Sequence, residues 1–398
     1  MKVNRVERHL INKNHPMFRI CEEYCFKSKN LYNYANFLVR QEFINKSKFL
    51  NYYDIDRMIK KEAPYKDIGS NSGQMTLKVL EQNWKSYFAA IKDWSKNPQK
   101  YLGKPKLPSY LEKETGRFVW VLTNMQSKIV DGYLKFSFKP LKIFNDLIKT
   151  KIIGKHMQTR IVPVRNIYAL EIVYQIEIPV TFTDSKRILG IDLGLDNLMT
   201  TQNNFGEQPF VINGRPLKAM NKFYNMKVSE IRSKLKKTNN KNWSSRLDWL
   251  TIKRSNKIDY YMHNATKWIL NYCLAFKVDT VIIGNNKKWK QKSRLKNFVQ
   301  IPYDKLISQL EYKLSDNGIK VILTEESYTS KASFLDMDKP VKGEFSGERI
   351  ERGMYKAKNG LLINADVNGA GNIIRKVFPN AFADGIEGVC LHPTIINI

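Results

Sequence analysis

The spacing of apolar residues divides the chain into stretches of different texture. Residues 2–11, KVNRVERHLI, alternate polar and apolar, which predicts a strand with one face turned inward. Over residues 16–47 the spacing becomes helical, with Phe18, Cys21, Tyr24, Leu31, Tyr34, Ala35 and Leu38 on the apolar stripe. A second helical stretch, 72–94, carries Met75, Val79, Trp84, Phe88 and Ile91, and both stripes read as core. GKPKLPSYL, residues 103–111, interrupts the pattern with two prolines and a glycine and predicts a connection. Short β-rich runs follow, among them RFVWVL, YLKFSF, TRIVPV and LEIVYQIEIPV, which suggest a small antiparallel barrel or sandwich. The first half is therefore expected to be a helical unit inserted into a β unit.

From residue 187 the texture turns to α/β. RILGIDLGLDNLMTTQNN reads as strand, turn and strand, and two long helical patterns follow, broken near TNNKN at 238–242. The order continues with a strand at VDTVIIG (278–284), a helix at IPYDKLISQLEYKL (301–314) and a strand at IKVILTE (319–325). An irregular basic loop then leads to a helix beginning near Asp366 in ADVNGAGNIIRKVF. Strands and helices alternating in this way argue for a sheet with parallel neighbours covered by helices, and such sheets bind ligands at the carboxyl ends of their strands.

Composition adds a partner. With 398 residues, two or three domains are expected, and no internal repeat is apparent. The formal charge of +30 comes from Lys and Arg spread over the whole chain while hydrophobic content, 42%, is ordinary, so a disordered basic tail is not its source. A folded protein this basic attracts polyanions, and 12% aromatic residues supply stacking surfaces, which makes nucleic acid the expected partner. The charge is densest over Arg215 to Lys257, where only Glu230 and Asp248 oppose it. Phosphate contact is expected there from Lys218, Lys222, Arg232, Lys236, Lys237, Arg246 and Arg254, and further along from Lys331. The cysteines, Cys21, Cys25, Cys273 and Cys390, form no C-x-x-C pair and suit a reducing compartment, with Cys21 and Cys25 as small core residues on one helix face. MKVNRVERHL has no apolar signal core and no run of 18 apolar residues occurs, so a cytoplasmic location is expected.

The chemistry sits on carboxylates. Asp192, in GIDLG, lies on what should be a central strand, where Asp has poor β propensity and is rarely buried without a partner. Asp366 follows LLIN at the start of a helix that Gly369, Ala370 and Gly371 keep thin enough for something else to approach closely. The structural alternatives are a turn-former ahead of Gly194 for Asp192 and an ordinary N-cap for Asp366. Acidic residues at strand and helix termini of one basic sheet suggest a divalent metal site, since a pair of Mg²⁺ ions ~4 Å apart can stabilise the attacking and leaving oxygens of a phosphodiester. Two aspartates are thin for two ions, so a third carboxylate is wanted. No phosphate loop, HExxH or GxSxG stands out, and His263, in YYMHNATKWIL, reads as a satisfied, partly buried histidine.

Taken together, GIDLGLDNL (190–198), the basic hairpin with DYYMHNATKWI, the helix containing LEYKL, ESYTSKAS and ADVNGAGNI (365–373) resemble the TnpB family of transposon-encoded RNA-guided nucleases, related to compact type V CRISPR effectors. QMTLKVLEQNWKSYF and GKPKLPSY in the first half match less specifically. The resemblance implies a multidomain α+β protein: a wedge-like β barrel at 1–14 and 110–186, a helical recognition domain at 15–109, an RNase H-like RuvC nuclease domain at 187–378 and a C-terminal tail at 379–398. It implies a guide RNA from the transposon end, a target DNA with a short adjacent motif, Mg²⁺-dependent cleavage and a monomer on its RNA. Asp192 matches the family's first RuvC aspartate and Asp366 its last. Guide pairing would carry sequence specificity, with the protein reading backbone shape and the adjacent motif.

Two departures from the family pattern matter. Where most members place the middle catalytic glutamate, this chain has Gly284, followed by Asn285 and Asn286. Where the zinc-ribbon cysteines should fall, it has Ala332, Leu335, Lys356 and Asn359, so no structural zinc is expected and 331–362 is expected to be a ribbon remnant or a basic lid held by other contacts. The missing glutamate leaves two readings: a nuclease-inactive RNA-guided DNA-binding protein, such as a repressor, or a carboxylate moved to the following strand, where Glu325 and Glu326 stand. That strand should lie ~4.8 Å further across the sheet with its carboxyl end in the same cleft. Alternation sends the two glutamates to opposite sides, and Glu326, three residues before Thr329, resembles the relocated glutamate of Fanzor proteins and some TnpB branches. The expected metal-binding and catalytic set is thus Asp192, Glu326 and Asp366. A guide-independent RNase H-like nuclease or resolvase is a third reading, which the long N-terminal half makes less economical.

Overall fold

The structure is a computed structural model that describes residues 2–178, 186–285, 301–383 and 391–398. It divides into two compact units, Met1–Ile178 and Pro179–Ile398.

In the first unit, β1 (Lys2–Ile11) precedes four helices, α1 (Phe18–Lys46), α2 (Tyr52–Ile59), α3 (Ala63–Lys66) and α4 (Ser70–Lys96). Six strands follow: β2 (Trp120–Thr123), β3 (Ser127–Val130), β4 (Tyr133–Phe136), β5 (Ile148–Lys149), β6 (Lys155–Val164) and β7 (Ile167–Glu177). β1 pairs antiparallel with β7 from Lys2–Glu177 to Ile11–Tyr168, so the helices interrupt a sheet of order β1-β7-β6-β2. β3, β4 and β5 make a separate three-stranded sheet. The helices and strands set out as two domains on sequence share one hydrophobic core, in which Cys21, Cys25, Leu77 and Trp84 pack in the same cluster as Trp120, Ile161 and Ile172. Its two largest buried rings have their polar atoms paired: the Trp84 indole donates to Asn36 Oδ1 at 3.0 Å and the Trp120 indole to Ser72 Oγ at 3.1 Å.

The second unit is built on a six-stranded sheet. Its strands are β8 (Ile188–Leu193), β9 (Asn197–Asn203), β10 (Phe210–Asn213), β11 (Thr280–Gly284), β12 (Lys320–Thr324) and β16 (Thr394–Ile396), in the order β12-β11-β8-β9-β10-β16. β12, β11 and β8 are mutually parallel and β9 is antiparallel to β8. The segment 379–398, set apart on sequence as a tail, is not simply a tail: β16 pairs parallel with β10 as an edge strand. α5 (Arg215–Asn239) and α6 (Ser245–Ala275) form a long hairpin after β10, and α7 (Tyr303–Ser315) leads into β12. A small antiparallel sheet of β13 (Glu348–Glu351), β14 (Met354–Lys356) and β15 (Leu362–Asn364) precedes α8 (Ala365–Val377).

Strand alternation decides what faces what. Leu189, Ile191 and Leu193 of β8 and Val281 and Ile283 of β11 pack with α6 and α7 in one core. Ile188 and Ile282 point the other way, into a second core with Ile373 and Ile374 of α8. Residues of even number on β8 and β11 therefore meet α8, and Asp192 and Gly284 have that parity.

Candidate active site

Asp192 occupies the last turn of pleat at the carboxyl end of β8, paired across to Thr200 of β9. It is a strand residue and not a turn-former for Gly194. Opposite it, α8 starts with glycine: a Cβ on Gly369 would stand 2.9 Å from Asp192 Oδ2, so the thin helix start is what admits this carboxylate. Asp366 is on the first turn of the same helix, three residues earlier and so on the same side. It is not the N-cap; that place belongs to Asn364, whose Oδ1 accepts from the amides of Asp366 and Val367 at 3.0 and 3.2 Å. The Asp366 carboxylate is left for other work: Oδ2 accepts from Asn197 Nδ2 at 2.6 Å, and Arg349 Nη2 stands 3.9 Å from Oδ1.

The two glutamates after β12 differ sharply. Glu325 is exposed, accepts from Ser327 Oγ, and pairs with Lys376 Nζ at 3.1 Å; these contacts hold its carboxyl below the usual range. Glu326 turns inward, its Oε1 buried with no hydrogen-bond partner. Desolvation, with a smaller push from Glu325, raises its carboxyl to about 7. Its position answers the glycine on the neighbouring strand. A Cβ on Gly284 would come within 2.8 Å of Glu326 Cγ and 2.9 Å of Oε1, so the side chain of Glu326 fills the space a residue at 284 would use.

Asp192 senses both partners: burial first, then the charges of Glu326 and of Asp366, push its carboxyl well above the ordinary value. Among the described residues no three His, Cys, Asp or Glu side chains are drawn together tightly enough to hold an ion as they stand. What the cleft offers is a convergent set of carboxylate oxygens, one of them an orphan, that repel one another. This donor set fits a hard divalent cation such as Mg²⁺, whose charge would relieve both the repulsion and the unpaired oxygen.

Residues that sequence reasoning missed hold the turn after Glu326. Thr329 Oγ1 donates to Glu326 O at 2.8 Å. Asn372 Nδ2 donates to Thr329 O at 3.0 Å and to Ala332 O at 2.7 Å, while Asn368 donates to Ala332 O at 2.9 Å and accepts from the Phe334 amide at 2.8 Å. Both asparagines are fully buried on α8, so the helix that carries Asp366 also grips the loop that carries Glu326. Two asparagines four apart on the apolar side of ADVNGAGNII were the available signal. Asn197 and Arg349 left none.

At the ribbon positions, Ala332 is buried and Leu335, Lys356 and Asn359 bring no zinc ligand set; two aspartates tie the segment instead. Asp336 Oδ2 accepts from Ser333 Oγ at 2.6 Å and from the Lys358 amide at 2.9 Å. Asp338 accepts from the amides of Ser333 and Ser346, both at 2.9 Å, and from Ser346 Oγ at 2.8 Å. Arg375 of α8 then donates to the carbonyls of Met337 and Asp338 at 2.6 and 2.8 Å.

Of the expected phosphate-binding residues, Lys222, Arg232, Lys236, Lys237, Arg246 and Lys331 are exposed. Lys218 is instead tied to Asp196 at 2.8 Å. Arg254 is half-buried inside the hairpin, donating to Asn221 Oδ1 at 2.7 Å with its guanidinium over the Tyr224 ring. His263 is exposed, not partly buried as its apolar neighbours suggest, because the helix face it occupies carries Lys267 rather than the core stripe. Cys390 lies outside the described residues, as do Asn286 and residues 287–300.

A basic α+β protein with carboxylates gathered at adjacent strand ends and a helix start is the class that fold and site define. Two family profiles match in tandem, one described as "Probable transposase" over residues 171–290 and one as "Cas12f1-like, TNB domain" over 303–373. A TnpB-like protein, ORF457 of Acidianus two-tailed virus, is 22% identical over 384 residues, covering 88% of this chain and 81% of its own. Among solved structures, Cas12f1 in a complex with single-guide RNA and target DNA superposes with a TM-score of 0.56 at 14% identity, over 90% of this chain and 82% of its own. The chain is thus similar to TnpB-like proteins, and its fold is that of the Cas12f1 effector.

Proposed function

We propose that this protein is an RNA-guided, Mg²⁺-dependent DNA endonuclease whose nuclease centre is a RuvC-type, RNase H-like domain built on the six-stranded sheet, with the first unit as wedge barrel and recognition helices. The observation that carries the reading is Glu326: a partly buried carboxylate with a buried, unpaired oxygen, occupying the space left by Gly284 on the neighbouring strand. An inactive descendant would have no reason to keep such a costly group in place. The guide and target partners named in the Cas12f1 complex support RNA and DNA as partners here.

Asp192, Glu326 and Asp366 would hold the metal. Bound there, Mg²⁺ would lower the pKa of water for attack on a phosphodiester and neutralise charge on the leaving oxygen. The protein's own contribution is placement. Asn197 fixes one oxygen of Asp366, and the other faces Arg349 at 3.9 Å. Glu326 would bind the ion as a carboxylate, and the desolvation that raises its carboxyl is what a cation there would offset. Arg349 brings a positive charge to the rim of the carboxylates, where an incoming phosphate would otherwise meet only repulsion. One chain per guide RNA is the stoichiometry this reading takes.

The test is to incubate the purified ribonucleoprotein and Mg²⁺ with a plasmid library that carries the guide target beside randomised flanks. Cleaved molecules sharing one flank are expected. Binding without cuts at every flank would overturn the nuclease and leave the RNA-guided DNA-binding protein in its place.

A further inference from the structure

The α5–α6 hairpin carries an exposed surface that is both aromatic and basic. Between the two helices lies a hollow of about 640 Å³ lined by Phe223, Tyr224 and Trp249 and rimmed by Lys227, Arg246 and Lys253. A second hollow of about 620 Å³ shares Trp249 and Lys253 and adds Tyr260. Trp249 is thus common to both. These aromatics are not core: Phe223 and Trp249 are each 55% exposed and Tyr260 71%. The acid in the lining, Glu230, is already neutralised by Lys227 and Lys234 at 2.9 and 3.2 Å.

The chemistry of the surface selects its occupant. The cations require an anion, and the exposed rings, with Lys253 Nζ 4.5 Å from the Trp249 ring centroid, suit flat rings that stack beside a cation. Duplex nucleic acid satisfies the first demand but keeps its base faces stacked on each other. Single-stranded nucleic acid satisfies both, with phosphates on the lysines and unpaired bases against the rings. Exposed aromatic surface of this extent marks an interaction site, and it stays covered only by an occupant bound whenever the protein works. Under the RNA-guided reading, the guide RNA is held in that way and a displaced DNA strand is not.

We infer that the α5–α6 hollows are a base-stacking site for an unpaired segment of the guide RNA, with Trp249 as the central platform. The inference rests on the RNA-guided reading of the protein but not on catalysis.

The experiment uses the full chain purified together with the RNA that accompanies it from cells carrying its native flanking DNA. That RNA is re-synthesised with 4-thiouridine, cross-linked by long-wave ultraviolet light and mapped by mass spectrometry. Cross-links to peptides within 219–260 are expected, and Trp249→Ala should weaken retention of the RNA on the order of tenfold, with Trp249→Phe restoring most of it. Because Trp249 is exposed, loss of folding should not intervene, and a circular dichroism melt of each variant checks this. Cross-links confined to other regions, or unchanged affinity of Trp249→Ala for the RNA, would overturn the inference. So would cross-linking of the hairpin to a target DNA carrying 5-iodouracil in the displaced strand when the RNA does not cross-link there. If no RNA accompanies the chain, the inference and the guided reading fall together. If RNA cross-links at Trp249 while plasmids stay uncut, only the nuclease is lost.

Discussion

Gly284→Ala tests the relation between the empty position on β11 and the glutamate beyond β12. The new methyl would meet Ile373 Cδ1 at 2.7 Å, Glu326 Cγ at 2.8 Å and Oε1 at 2.9 Å. Ordinary carbon contacts begin near ~3.5 Å, so these side chains must retreat by roughly half an ångström or more. Overpacking of this kind costs about 1–3 kcal/mol, and misplacement of a catalytic group by about 1 Å can cost on the order of 100-fold in rate. Since Ile373 ends in a flexible methyl and Glu326 in a flexible carboxylate, the stability loss is expected at the low end of that range and the loss of cleavage at tenfold or more. Urea denaturation of the metal-free chain and initial rates of guided plasmid cleavage read the two effects separately. The companion variant, Gly284→Glu with Glu326→Ala, moves the carboxylate back to β11 and should recover part of the activity that Glu326→Ala alone removes. Full cleavage by Gly284→Ala, or by Glu326→Ala, would refute the claim that Glu326 serves the site across this gap.

Replacing the exposed neighbour, Glu325→Gln, should leave cleavage within about twofold, whereas Glu326→Gln should abolish it with RNA retained; equal effects on plasmid cleavage would contradict the assignment. The pH dependence has a definite sign: a carboxyl raised from 4.5 to about 7 on folding stabilises fully below pH 4.5, and that contribution is lost as the pH rises through about 7. Urea melts in EDTA across this window should therefore show stability falling with pH more steeply in the wild type than in Glu326→Gln, and parallel curves would exclude a raised Glu326. Asp338→Ala removes an acceptor shared by two amides and a hydroxyl and should open the 333–346 segment at a cost of about 2 kcal/mol, seen as faster hydrogen exchange there. Chelators should not reproduce that change, and one tightly held zinc per chain in metal analysis would contradict the aspartate clasp. Asn372→Ala should lower cleavage by tenfold or more through the 329–332 turn while RNA retention is unchanged; a loss of both together would mean a folding defect instead.

Much of the sheet was readable as periodicity because its strands are short, β-branched and bounded by turns. The apolar runs at 188–193, 280–284 and 320–324 and the helices between them stand where the spacing places them. The edge strand β16 was not readable: three residues, TII, carry no signal of their own and become a strand through pairing with β10. That the helices and strands of the first half share one core was not readable either, because a shared core is a property of side chains that meet and not of the order in which they occur.

For the site, the sequence by itself determined the residue types and their parity. Asp192 on an apolar strand, glycines early in α8 and two adjacent glutamates after β12 are chemical statements, while alternation only sends Glu325 and Glu326 to opposite sides and the choice of Glu326 rested on the resemblance. Only the tertiary structure decided that Asn364 rather than Asp366 caps α8, that Asn368 and Asn372 hold the Glu326 turn, and that Lys218 and Arg254 serve the protein's own packing. The reason is the range of the forces. Periodicity and propensity are set by neighbours in the chain, whereas hydrogen bonds, desolvation and mutual repulsion depend on distances between residues that lie far apart in sequence and are brought close by the fold.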